Sequence, residues 1–446
     1  MGQQVIVKPS AMSKRMREIV EKTNKFEIKT GAGVGCDWPS WESGKGVMLK
    51  DVDGNEYLDL IGGLGGCLIL GHCHPRIVQV IKNQAEKLLF ARHYMPDGLR
   101  ADVAEKLVDV SPKGLDKVMY ALGGSDVIEK SIPFAKCYTK KMEIMTYQGA
   151  FHGRGELAKA LSASIHIPPN PFLIPQIPGI VRVPYPNCYR CPFGKEYPDC
   201  DIQCARFIED LFENPSSGIT QVAAILGEII QGDPGVIIPP KEYWPLVKRI
   251  CEKNNALLIT DECQTSFGHT GKMFACEHYG IVPDLMCVSK GLANGMPISA
   301  IIGKAEILEQ QDPMRLSGCT YIGNTLSYAV ALETIKIVQE DRLVENAARV
   351  GKYLQQRLME IKDKHKLIGD VRAKGLYIGI EFVKERKMPA IEETKTVAAK
   401  LLQRRVIVDL QGPWRSVIQL RTPLILTEEL AEVFCGRLEE TLMEVH

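Results

Sequence analysis

Apolar positions change their spacing twice along this chain, and each change predicts a different kind of element. Between Gly46 and Leu58 (GVMLKDVDGNEYL) apolar and polar residues alternate on both sides of Asp53-Gly54, a dipeptide that favours a tight turn, so a hairpin is expected. From about Ala121 to Ser299 short aliphatic runs alternate with longer amphipathic stretches. The clearest runs are VAAILGE from Val222, ALLIT from Ala256 and DLMCV from Asp284. They start about 30 residues apart, which leaves room for a strand, a crossover helix and the next strand, and they are continuously apolar. Both features predict parallel strands covered on both faces. After Leu326 a helical pattern of mixed charge fills 326–364, and GLYIGIEFV from Gly375 reads as a strand. Helices are expected near 390–405 and 427–445. The expected domains are 1–60, an N-terminal segment and hairpin associated with a small domain; 61–326, a large domain; and 327–446, a C-terminal small α+β domain.

Composition narrows the class. A chain of 446 residues exceeds one ordinary core and suits a large domain with a smaller one. With 45% apolar and 24% charged residues it is globular, and a net charge of +1 argues against nucleic acid as a partner. The most membrane-like stretch, Leu60 to Gly71, contains five glycines and is far shorter than the ~20 apolar residues of a spanning helix. The opening MGQQVI lacks the hydroxyl residue of a myristoylation signal, no secretory leader is expected, and 14 cysteines fit a reducing cytoplasm with free thiols.

Several strand ends carry residues suited to one cofactor. Lys290 follows the run ending at Val288 and precedes the turn GLANGMP. A lysine beside apolar walls has its ammonium form disfavoured, which supplies the neutral amine of a Schiff base; an isolated surface lysine is the plain alternative. Asp261 ends another strand 29 positions earlier and suits a protonated ring nitrogen, with Gln264 suited to a ring oxygen. Asp261 would equally cap a helix. Gly123-Gly124-Ser125 opens an amphipathic stretch, as an anion-binding helix start or as a common turn. Phe151 and His152 follow another run, Phe151 either stacking on an aromatic ring or packing in the core. Cys188, Cys191, Cys200 and Cys204 offer four thiols in one loop, but the second pair is Cys-x3-Cys, outside ribbon spacing, so a metal and separate thiols both stay open. His72, His74 and His152 sit in glycine- or proline-containing turns and read as turn or core histidines.

These residues, together with DVDGN from Asp51, GHCHP from Gly71, EIIQG from Glu228, TYIGN from Thr320 and RTPL from Arg421, resemble the class III (ornithine- and 4-aminobutyrate-type) aminotransferases from about Asp51 to Leu424. The resemblance implies an α/β, fold-type I, aspartate-aminotransferase-like architecture: a large, mostly parallel sheet domain and a smaller α+β domain. It implies pyridoxal 5'-phosphate held by Lys290, with Asp261, Gln264, Gly124, Ser125, Phe151, His152 and Glu228 around it. Thr320 would reach the phosphate in a neighbouring subunit, so a homodimer with shared sites is implied, and a tetramer is compatible. Arg421 would take a substrate carboxylate, and Asp233 falls where many members carry a glutamate that pairs with this arginine. The implied activity is amino transfer between an amino acid and a 2-oxo acid. Racemisation or epimerisation is the alternative, shared features being Gly124-Ser125-Asp126, Gln231-Gly232-Asp233 and VPYP from Val183; cofactor binding without turnover is a third. Departures from the family pattern are Ile128, Pro133, Ile229, Cys263, Ser266 and His269. Pro133 costs about 3 kcal/mol if it falls within a helix beyond its first turn.

Overall fold

Seven strands form the central sheet in the spatial order Lys117–Ala121, Ser299–Gly303, Leu285–Val288, Leu257–Asp261, Val222–Glu228, Glu143–Tyr147, Ile180–Val183. This is a computed structural model, and it describes residues 13–28, 38–167, 172, 175–310 and 318–445. The MGQQVI opening lies outside them. Ser299–Gly303 runs antiparallel to both neighbours, and every other pair is parallel. Val222–Glu228 and Leu257–Asp261 are buried at every position, as their uninterrupted apolar runs require. The architecture is the expected mixed α/β one, with a large, mostly parallel sheet.

The strand order decides where a site can form. From Val222–Glu228 the chain adds strands on one side, whereas Glu143–Tyr147 and Ile180–Val183 lie on the other. Connections diverge at that reversal and leave a crevice beyond the carboxyl ends. There the register sets Glu228 beside Asp261 and Asp261 beside Cys287.

Two smaller sheets flank this one. Trp41–Lys45, Met48–Asp51 and Glu56–Asp59 are antiparallel, and Val406–Ile407 adds to them in parallel. The expected turn is present: Gly54 takes φ +84°, and the Asp51 carboxylate accepts the amides of Asp53 and Asn55 at 3.0 and 2.8 Å. The second sheet is antiparallel in the order Ile368–Lys374, Tyr377–Phe382, Val417–Arg421, Asp409–Gln411.

The long helical pattern after Leu326 is two helices, Thr325–Glu340 and Leu343–Lys364, because Arg342 adopts a left-handed φ of 52° between them. Ile391–Gln403 and Glu428–Met443 follow, the latter capped by Thr427. Pro133 lies well inside Gly124–Thr139, past the first turn where it would be harmless. That helix holds its place through buried Val127, Ile128, Ile132, Phe134 and Ala135. Among the described residues no helix is long and apolar enough to cross a membrane.

Candidate active site

Asp261 anchors the crevice. Its Oδ2 lies 2.8 Å from His152 Nδ1, and its Oδ1 accepts the Cys263 amide at 3.0 Å. Burial alone would raise its pKa; the hydrogen bond and attraction of His152, with the Cys263 bonds, outweigh that and hold it below the usual value. His152 is itself fixed, its amide donating to Ser162 Oγ at 2.9 Å. On the adjacent strand both oxygens of Glu228 accept backbone amides, from Phe151 at 3.1 Å and Gly232 at 2.9 Å. Burial first, then the nearby Asp261 and Asp233, push its pKa well above normal.

The Gly124–Thr139 helix opens toward the same place, since a methyl added at Gly124 would sit 3.7 Å from Cys263 Sγ. Its first internal bond is Val127 N–H to Gly123 O, so the three preceding amides have no intrahelical acceptor. Ser125 Oγ accepts the Arg154 amide at 2.9 Å and keeps its own proton to donate.

Lys290 comes two residues after Leu285–Val288 with a left-handed φ of 31°, a strained conformation for a non-glycine residue. Its amine and the Arg421 guanidinium both face Gly65. A methyl at Gly65 would lie 3.6 Å from Lys290 Nζ and 3.8 Å from Arg421 Nη1. Arg421 is buried; its Nη1 donates to Gln264 Oε1 at 3.1 Å, Tyr377 OH donates to that oxygen at 2.9 Å, and its Nε has no partner. His269 packs against Gly66 with its Nε2 unpartnered, and its pKa is lowered to about 4 by burial, then by Arg421 and Lys290.

Asp233 departs from expectation: it does not pair with Arg421. Its Oδ2 accepts Ser164 Oγ at 2.5 Å and lies 3.7 Å from His166 Nε2. The carboxylate on Arg421 Nη2 is Asp409. The reason is strand geometry. Asp409 pairs with Gln419, two residues from Arg421 on the neighbouring strand, whereas the Asp233 carboxylate is bonded to the Ser164 hydroxyl. His166 also meets the Phe151 ring edge-on at 5.9 Å. Thr320 is exposed.

Asp409, Gln411, Ser164, His166, Tyr377 and Gly65 were not expected at the site. The available signal was polar alternation: Asp409 and Gln411 share one face of a short strand that follows an apolar run.

The remaining candidates lie elsewhere. Cys188, Cys191, Cys200 and Cys204 line one cavity of about 20 Å³, and all four thiols are free. Burial, then neighbouring thiols, pushes Cys188 up to about 11. Among the described residues no group of three or more His, Cys, Asp or Glu is arranged to hold a metal ion. His72 pairs with Asp59 at 2.8 Å, and His74 precedes the helix Pro75–Ala85.

A sequence model of "Aminotransferase class-III" matches residues 39–442. A leucine/methionine racemase of Thermococcus litoralis is 36% identical over 90% of this chain and 90% of its own length. An alanine/serine racemase of Pyrococcus horikoshii is 35% identical over 96% and 90%. A probable 4-aminobutyrate aminotransferase of Bacillus subtilis is 33% identical over 87% and 89%. Among solved structures, a thermostable omega transaminase mutant from Pseudomonas jessenii superposes with a TM-score of 0.88 at 26% identity, covering 96% of this chain and 98% of that one.

Proposed function

Because the chain belongs to the class III aminotransferases, an enzyme family whose matching relatives include both aminotransferases and racemases, we propose that it binds pyridoxal 5'-phosphate through Lys290 and racemises or epimerises an α-amino acid. The donor set fits that cofactor. A buried carboxylate kept ionised suits a protonated pyridine nitrogen, a helix start with free amides and Ser125 suits a phosphate, and a strand-end lysine suits the aldehyde. When bound, the cofactor supplies an electron-accepting ring for the pair released as the α-hydrogen leaves.

The chain's own groups divide the remaining work. Asp261, held by His152, fixes the ring nitrogen; Gln264 meets the 3-oxygen; Phe151 covers one ring face; Gly124 and Ser125 hold the phosphate; Glu228 ties the Phe151 and Gly232 backbones together. Arg421 takes the α-carboxylate through donors it has to spare. Lys290, on the Gly65 side, moves the α-proton on one face. Asp233, on the side of His166 and Phe151, serves the other.

One observation carries racemisation over amino transfer: Asp233 is held by the Ser164 hydroxyl rather than by Arg421, so it is an acid at the site and not the arginine's gate. The racemase relatives support the same reading. Amino transfer to a 2-oxo acid is the second reading, favoured by the aminotransferase relatives. Incubation with single L-amino acids, with and without 2-oxoglutarate, tests the choice. Optical rotation should decay without any keto acid appearing; keto acid formed only with 2-oxoglutarate, the amino acid staying L, refutes racemisation.

The proposal includes a homodimer in the cytoplasm. Exposed Leu88, Leu89, Phe90, Tyr94 and Met95 adjoin the Thr320–Gly323 turn, with Ala91 N–H bonded to Gly323 O at 2.8 Å, and form an apolar face suited to a second copy. Thr320 on that face would reach the partner's phosphate. The four neighbouring thiols of Cys188, Cys191, Cys200 and Cys204, unbridged although they line one cavity, support a reducing compartment. Domain boundaries at 60 and 326 are part of the same reading, supported by the pairing of Val406–Ile407 with Glu56–Asp59.

A further inference from the structure

Arg421 and Asp233 sit at the two ends of one chain of polar contacts. Arg421 Nη2 bonds Asp409 Oδ2, and Gln411 Nε2 donates to that same oxygen at 2.8 Å. Gln411 Oε1 lies 3.0 Å from His166 Nε2, which lies 3.7 Å from Asp233 Oδ2. Because the Gln411 amide nitrogen is committed to a carboxylate, its oxygen must accept, so His166 carries its proton on Nε2 and donates it to Gln411. At 3.7 Å Asp233 is outside hydrogen-bond range of that proton, and among the described residues its carboxylate is bonded by the Ser164 hydroxyl alone. The ends are buried, with side chains of Arg421 and Asp233 4% and 5% exposed, whereas Asp409 and His166 are 26% and 23% exposed. Asp409 and His166 have room to move, whereas Gln411, which links them, is buried like the two ends.

We propose that Asp409 is a resting counter-ion which the substrate carboxylate displaces from Arg421, and that Gln411 and His166 carry this displacement to Asp233. An incoming carboxylate takes the guanidinium, Asp409 turns toward solvent, and Gln411 follows the oxygen it is bonded to. His166 Nε2–H then loses its acceptor and turns to Asp233, the nearest remaining one. Asp233 receives its second hydrogen bond only when a carboxylate occupies Arg421, so proton transfer on that face is restricted to substrates of the right class. Asp409, Gln411 and His166 are positioning residues here, and no bond is made or broken in the relay. The inference rests on the roles given above to Arg421 and Asp233.

Two measurements on the holoenzyme separate its parts. Calorimetric binding of propionate tests displacement: Asp409→Asn removes the competing charge and should tighten binding about tenfold. Unchanged affinity overturns the counter-ion role, whatever reaction the enzyme performs. The relay is tested with Gln411→Leu, backed by His166→Gln should the first variant fail to fold. Propionate affinity should stay within about threefold of wild type, with KM unchanged and racemisation kcat about tenfold lower. In deuterium oxide, exchange of the α-hydrogen taken by Lys290 should continue at the wild-type rate, while exchange of the opposite enantiomer falls. Wild-type racemisation in both variants, or equal loss on both faces, overturns the relay. A wild-type enzyme that never racemises refutes the proposed function instead, and leaves the propionate result standing.

Discussion

Replacing His269 with glutamine should remove a pH-dependent penalty that this ring imposes on the fold. Burial, with Arg421 and Lys290 nearby, lowers its pKa from 6.5 to about 4. As the pH falls below 6.5 the unfolded chain gains a proton on this ring that the folded chain refuses, so the unfolded state gains stability relative to the native one. The penalty is absent at neutral pH, grows below 6.5 and is complete below about 4. A shift of about 2.5 units at 1.36 kcal/mol each gives about 3.4 kcal/mol in full, and about 2.5 kcal/mol at about pH 4.5. His278 has its pKa lowered to about 4 as well, by burial and then Lys374, so it contributes to the wild-type curve. It is present in the variant too, and the difference between the two proteins isolates His269. Urea unfolding followed by tryptophan fluorescence, at fixed protein and cofactor concentration, gives both curves. Between about pH 7 and 4.5 the variant should lose about 2.5 kcal/mol less than wild type. Equal losses would show that the ring takes up its proton in the folded protein as readily as in water, and the buried position described here would be wrong.

Other substitutions test the site and the packing around it. Lys290→Ala should abolish the visible absorbance of bound cofactor after gel filtration, and a variant that keeps both colour and turnover would remove Lys290 from its role. Asp261→Ala should retain cofactor but lose about 100-fold or more in kcat, because on the proposed function it removes the ionised partner of the ring nitrogen. In the helix Leu343–Lys364, a methyl at Gly351 would come within 2.1 Å of Gly375 O, a backbone atom on a positive-φ residue that cannot swing aside. Gly351→Ala should cost about 2–3 kcal/mol in thermal unfolding, and a neutral result would mean the helix sits farther from that turn.

How much of this was readable in the chain depends on what fixed each residue. Buried parallel strands must be apolar until they emerge, so the first polar residue after LLIT marks an exit, and Asp261 stands there. Lys290 was legible in the same way after LMCV. Side-chain pairing was not. For Arg421 the family pattern pointed to Asp233, and Asp409 was not anticipated. Strand pairing brings Asp409 close, and the Ser164 hydroxyl holds Asp233 away, contacts no spacing rule encodes. The long helical run failed at one place for a related reason: apolar periodicity continues across Asp341-Arg342, and only the left-handed Arg342 breaks it.

Glu228 and Asp261 show why the neighbouring strands matter chemically and not only structurally. The two residues are paired in register at the ends of adjacent strands, both buried. Like charges that close cannot both ionise cheaply, and the environment resolves the conflict. Both are desolvated by burial; Asp261 has His152 and the Cys263 amide, and its pKa falls, whereas Glu228 has two acids near it, and its pKa rises. One charge therefore stands where two carboxylates are present, and it stands on the residue that would face the ring nitrogen. A cofactor that needs a single negative partner finds one, with the second acid reserved for backbone geometry through its bonds to Phe151 and Gly232. On the proposed function, moving the charge to Glu228 would take away the partner of the ring nitrogen, so the hydrogen bond from His152 to Asp261 would serve the chemistry by keeping the charge in place.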